Sequence, residues 1–190
     1  MNRQQVHRSS RGTASLALGI LMAGCVPGTM KHPPVPVPNV VPTGFDCARD
    51  LVNMQSLPVF EVSLVGEPTF DAFLLESAQL HANSLVIERA LAALDTSEPG
   101  SSVGVDRLAC AGQEIQDAIV GLTVIGESLL QRAPVVTASV DDYCKAHPLA
   151  CLAVGKQLTE AGNQVRNSLQ SLSRSSGQAG RFFSQVLTEK

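Results

Sequence analysis

Five cysteines carry most of the reactive chemistry in this 190-residue chain, and their spacing decides what that chemistry is. Cys25 stands apart, at the end of an apolar run. Cys47, Cys110, Cys144 and Cys151 form an even set. None of them belongs to a Cys-x-x-Cys redox pair or to the Cys-x-x-Cys-His pattern of haem attachment. In an exported protein four such thiols make two disulfides, for which three connectivities exist. The stretch "CKAHPLAC" closes an eight-residue loop from Cys144 to Cys151 around Pro148, a natural local staple. Cys47 is then left for Cys110, which ties the segment before the helices to the second helix. Loop-closure entropy puts the short bridge at about 2.5 kcal/mol and the long one at about 4 kcal/mol.

Other candidate groups carry less. "GSSVG" (residues 100–104) matches G-x-S-x-G with Ser102 in the nucleophile position. That elbow requires a buried strand before it, whereas "ALDTSEP" is a helix end followed by an acidic loop. Ser101 or Ser102 therefore reads as a helix N-cap. His81 and His147 have no carboxylate placed to orient them. His81 and Glu88, seven residues apart, nearly align on a helix, but two ligands do not close a metal site; His81 reads as a histidine at the core boundary. Glu114 and Asp117, three apart, read as a solvated face. No catalytic residue, no metal ligand and no enzymatic activity are assigned.

The amino terminus supplies an address. "MNRQQVHRSSRG" carries Arg3, Arg8 and Arg11 and no acid, and an apolar run from Thr13 to Gly24 follows. A positive region, a short apolar region and small residues define a secretory signal, and the run falls short of the ~20 apolar residues that span a bilayer. Its end, "LMAGC" (Leu21, Met22, Ala23, Gly24, Cys25), resembles the lipobox of bacterial lipoproteins. The resemblance covers only the first 25 residues. It implies cleavage before Cys25, a diacylglycerol on its thiol and an acyl chain on its freed amine, with no other cofactor. Several acyl chains make a stable anchor, at about 0.8 kcal/mol per buried methylene. The family's sorting signal, an Asp after the cysteine, is replaced here by Val26, which implies the outer membrane.

These residues need elements to position them. Residues 26–44 hold six prolines and read as an extended polyproline tether that keeps a domain off the membrane. "GFDCARDLVNMQSL" (44–57) reads as a short helix capped by Asp46, and "VFEVSLV" (59–65) as a short strand without an evident partner. A 3-4 spacing then sets in at Phe70, Phe73, Ser77, Leu80, Ser84, Ile87, Leu91 and Leu94. A second stripe follows at Leu108, Ala111, Ile115, Ala118, Leu122, Ile125 and Leu129. Pro134 and "SVDDYCKAHP" mark a short helical or turn segment, and Pro148 suits the first turn of a last helix. That helix's stripe runs Cys151, Val154, Leu158, Ala161, Val165, Ser168 with Leu169, Leu172, Ser176, Ala179, Phe183 and Val186. Long 3-4 stripes joined by short connections predict an all-α, antiparallel three- to four-helix bundle. The expected organisation is a signal peptide (1–24), a lipid-anchored proline-rich linker (25–44) and a bundle domain (45–190).

Charge narrows the function. Without Arg3, Arg8 and Arg11 the chain keeps 11 basic and 17 acidic residues, net −6, which disfavours nucleic acid. There is no Trp and a single Tyr, a poor supply for aromatic stacking platforms. Residues 151–190 run against the trend at net +3, with Arg166, Arg174 and Arg181 roughly along one side of the last helix. They are solvated and complement an acidic hairpin, or they form a face that docks a partner or contacts anionic lipid headgroups or peptidoglycan. The expected function is a non-enzymatic interaction module of an envelope assembly, anchored by lipid and bound to a protein partner. The alternative is a carrier or sensor that holds a small apolar molecule where small stripe residues leave space between helices.

Overall fold

A computed structural model describes residues 33–49, 52, 57–95 and 105–188. Cys25, the expected lipid attachment point, and Ser101 and Ser102 lie outside the described residues. Two strands, β1 (Val35–Val37) and β2 (Phe60–Val62), precede three helices, α1 (Pro68–Asp95), α2 (Val105–Ala146) and α3 (Cys151–Thr188). The helices all pack on one another, in the all-α bundle that the stripes predict.

α1 begins two residues before its stripe, because local groups build a stop for the chain. Glu67 caps it, its carboxylate accepting the Phe70 N–H at 2.8 Å, and Pro68 occupies the first helical position, where no N–H is needed. Asp71 reaches back to accept the N–H groups of Val65 and Gly66 at 2.6 and 3.0 Å, and Gly66 takes a positive φ of 86°. Every position of the α1 stripe, Phe70 through Leu94, is buried. Its buried serines leave no polar cost: Ser77 donates to the Phe73 carbonyl and Ser84 to that of His81. A further row, Leu74, Ala78, Ala82 and Val86, is buried as well, so α1 is covered on more than one side.

The α2 stripe corrects the sequence reading at its centre. Ile125 is 49% exposed, and Gly126 holds the inward position instead. The buried row runs Leu108, Ala111, Ile115, Ile119, Leu122, Gly126, Leu129 and Val136. A Cβ on Gly126 would stand 2.6 Å from Leu169 Cδ2, 2.9 Å from its Cγ and 3.2 Å from Leu80 Cδ2. All three helices therefore meet at this glycine. α2 also does not break at Pro134, and no separate segment follows it. Pro134 is exposed, and it costs the hydrogen bond to the carbonyl four residues back. The 3-4 row nevertheless continues past it through Val136, Val140 and Tyr143, which pack on the core, with Tyr143 edge-on to Phe70 at 5.4 Å. In α3 Ser168 is buried as its stripe predicts, together with Ser171 and Ser175, whereas Ser176 is exposed.

Contacts fix an up-down-up order. Tyr143, Arg132 and Gly126 of α2 meet Phe70, Glu76 and Leu80 of α1, so the two run antiparallel. Gly112 and Gly126 of α2 meet Phe183 and Leu169 of α3 in the same sense. Pro148 lies in the turn before α3 rather than within its first turn.

The strand at Phe60–Val62 has its partner in the proline-rich stretch: Val35, Pro36 and Val37 pair antiparallel with Val62, Glu61 and Phe60. Proline is tolerated there because an edge strand can turn its missing donor away from the ladder. Val37 is buried against Ala78 and Ala82 of α1, and the Gln79 amide donates to the Pro38 carbonyl. Residues 33–44, expected as linker, thus belong to the folded body. Residues 44–48 turn and bend and Arg49 lies in a 3-10 turn; apart from Val52 and Leu57, the rest of the helix expected over 44–57 lies outside the described residues.

Filling the Gly126 position overpacks the crossing. Gly126→Val is expected to lower unfolding free energy by about 1–3 kcal/mol, read from urea denaturation. Adding Leu169→Ala should recover part of that loss; no recovery would show that the crossing is not closed by Leu169.

Candidate functional site

The four cysteines behind the expected anchor pair as the spacing suggests. Cys47 bonds to Cys110 and Cys144 to Cys151, with Cα–Cα distances of 5.9 and 4.8 Å. The short bridge closes the α2–α3 turn, beside the Tyr143 and His147 rings, whose centroids are 4.6 Å apart.

Next to the long bridge lies a group that sequence reasoning placed in solvent. Glu114 is half-buried, and its carboxylate accepts three successive backbone N–H groups, those of Asp46, Cys47 and Ala48, at 2.9–3.0 Å. Successive amides in a bent segment make a concave anion site, here filled by the chain's own side chain. Phe45 and Ala48 are buried beneath it. Cys47, Cys110 and Glu114 offer three ligand atoms within 4.8 Å, but both sulfurs are spent in the disulfide, which leaves one donor. The cluster is a structural clamp. Asp117, its expected companion, is exposed and accepts from Gln113.

His81 lies where the sequence reading put it, at the edge of the core. Its Nδ1 is 3.3 Å from the Ser168 hydroxyl and its ring is edge-on to Phe60 at 5.0 Å. Burial pushes its pKa below the ordinary value, partly opposed by the Glu88 charge. Among the described residues no carboxylate is hydrogen-bonded to the ring, and the Ser168 hydroxyl is its polar contact.

The expected arginine face divides. Arg166 is exposed and donates to Asn163. Arg174 and Arg181 instead line a surface cleft of about 490 Å³ between the C-terminal halves of α1 and α3. Leu91, Leu94 and Phe182 give it an apolar floor; Ser171, Ser175 and Gln178 give it polar groups. Glu88 lines it too and accepts the Ser171 hydroxyl. Sequence reasoning counted Leu91 and Leu94 as core and missed that their turn of α1 borders open space. The gap arises where α3 presents Ser171 and Ser175 opposite them. A smaller cleft of about 190 Å³ lies between β2, α1 and α3. At two inward glycines of α2 the space is taken: Leu169 fills the Gly126 position and Phe183 the Gly112 position.

Two outcomes follow. Glu114→Ala strands three amides and should cost about 2–3 kcal/mol in urea denaturation, with Glu114→Gln between it and the wild type. For His81 the folded state holds the proton less tightly than the unfolded one. The contribution is complete above the unfolded value of about 6.5 and is lost as pH falls from there toward the lowered folded value. The drop in urea midpoint between pH 7.5 and pH 5 should therefore be smaller in His81→Gln than in the wild type.

Compared with known protein families, curated proteins and solved structures, the chain matches none of them.

Proposed function

We propose that this chain is a lipid-anchored, non-enzymatic interaction module of a bacterial envelope, tied through Cys25 to the outer membrane and docked on a protein partner through the outer face of α2. The carrying observation is that face. Val120, Val124 and Val135 are 60%, 62% and 68% exposed, and Ile125 stands beside them. From Ala118 to Gly126 the helix has no charged residue. Single exposed aliphatics are ordinary, but Val120, Val124 and Ile125 lie together in the uncharged stretch between Asp117 and Glu127, with Val135 beyond Glu127, and such a patch marks an interaction surface. Because it offers no charge to steer by, its complement is an apolar helix face on the partner.

The anchor agrees with this reading. At most about 3.3–3.6 Å per residue separates Cys25 from the first strand residue, Val35. The body therefore sits within about 35 Å of the lipid, in the layer where envelope assemblies are built.

Gentle-detergent purification of the full-length protein should bring down a stoichiometric protein partner. Val124→Glu should release it without lowering the melting temperature, since Val124 touches solvent rather than core. A clean monomer in the wild type, or a partner retained by Val124→Glu, overturns the docking face. Enrichment of phospholipid alone, lost with the substitution, assigns the strip to the bilayer instead and also overturns it. Cys25→Ser should remove the diacyl mass and stop cleavage before position 25, read by mass spectrometry of the purified chain; normal cleavage in the variant overturns the anchor.

A further inference from the structure

We propose that the cleft between α1 and α3 binds a small amphiphilic anion, a carboxylate or phosphate diester on an alkyl chain, through Arg174 and Arg181. The inference is independent of the α2 face. Arg174 spends only its Nε, on the carbonyl of Gln170 at 3.4 Å. Among the described residues neither Arg174 nor Arg181 has an ion pair, unlike Arg132 with Glu76, Lys145 with Asp142 and Lys156 with Glu160. Internal complementarity to the acidic helices is thus not what these two arginines supply.

Two guanidinium groups facing one cavity repel each other, and an anion between them removes the repulsion while accepting paired N–H bonds. Among the described lining residues Glu88 is the one carboxylate and is engaged by Ser171, so their charges sum to net positive by one. Below the charged rim Leu91 and Leu94 close the floor from the core side, and the apolar surface open to the cleft belongs to Phe182, partly buried, and Ala92, exposed. A purely polar anion would leave the Phe182 and Ala92 surface wet; a purely apolar ligand would leave both arginines unpaired. The volume falls within the usual range for small-ligand pockets, roughly 300–1,000 Å³. The ligand chemistry therefore differs from an apolar molecule held deep between helices: the cavity opens at the surface and selects a charged head.

The test is calorimetric titration of the full-length protein in phosphatidylcholine nanodiscs, with empty nanodiscs subtracted for bulk partition. Decanoate and dihexanoyl phosphatidylglycerol supply the two anionic heads; decyltrimethylammonium carries the opposite charge on the same chain length. Saturable binding of at least one anion, weakened tenfold or more in the Arg174→Gln/Arg181→Gln variant and unchanged in Arg166→Gln, is expected. Tighter binding of decanoate identifies a free fatty acid as the class, and tighter binding of the phosphatidylglycerol a lipid headgroup. Equal binding by the cation, equal binding by the double variant, or no saturable heat with either anion overturns the proposal. All three arginines are exposed, so these substitutions leave the fold intact, and an unchanged melting temperature verifies it.

Discussion

The bundle depends on helices coming close enough for one to fill the small positions of another. Ala, Ser and Gly along the inner rows contribute little apolar area each, at about 25 cal/mol per Å², so cohesion has to come from close contact rather than from large side chains. The crossing at Gly126 shows how. With no Cβ there, Leu80 from one side and Leu169 from the other enter the same space. Gly112 receives the Phe183 ring in the same way, one end further along α2 and α3. The inner serines fit this scheme because Ser77 and Ser84 return their hydroxyls to their own helix, so close packing does not strand a polar group. Helix interiors tolerate glycine at a cost of up to about 1 kcal/mol relative to alanine; at Gly126 the contact it permits is what offsets that cost.

A core of this kind holds its middle better than its ends, and both ends carry a second restraint. At the α2–α3 turn a disulfide closes a seven-residue separation, fixing the direction in which α3 departs. At the other end Cys110 and Glu114 lie one helical turn apart, and both grip residues 46–48, one through sulfur and one through amides. The two grips are chemically independent but geometrically redundant. Each constrains the same segment, so the bend over Phe45 and Ala48 is specified twice. A short non-helical segment with buried residues beneath it needs this, since its backbone has no ladder or helix to satisfy its donors.

Those facts also explain which parts of the architecture could be read from residues alone. The α1 stripe was legible to the last position because its periodicity comes from large side chains. The α2 stripe went astray where the inward residue is a glycine, which has no hydropathy to register, so Ile125 took its place in the pattern. Pro134 was read as a break because local propensity says so; burial of Val136, Val140 and Tyr143 overrides it, and that energy is tertiary. The partner of the Phe60–Val62 strand was hidden for the opposite reason, since proline at position 36 argues against a strand everywhere except on an edge. Both disulfide pairings could be inferred from spacing. Glu114 could not, because its role depends on three amides more than sixty residues away. The two clustered arginines were visible as a charge pattern, but the cleft beneath them exists only because α3 sets Ser171 and Ser175 opposite Leu91 and Leu94.

The proline-rich stretch is best understood through that edge strand. An extended segment beside a strand can recruit further strands, and a two-stranded ribbon has two open edges. Pro36, at the middle of β1, has no donor to offer a third strand, and the ribbon's inner face is occupied by Ala78 and Ala82. Prolines on either side of it, Pro33, Pro34, Pro38 and Pro42, keep the backbone extended without forming regular ladders. The composition that suits a tether also suits a capped edge. One segment can therefore lead away from an anchoring point and, a few residues on, lie down against α1, without a change in the kind of sequence that does it.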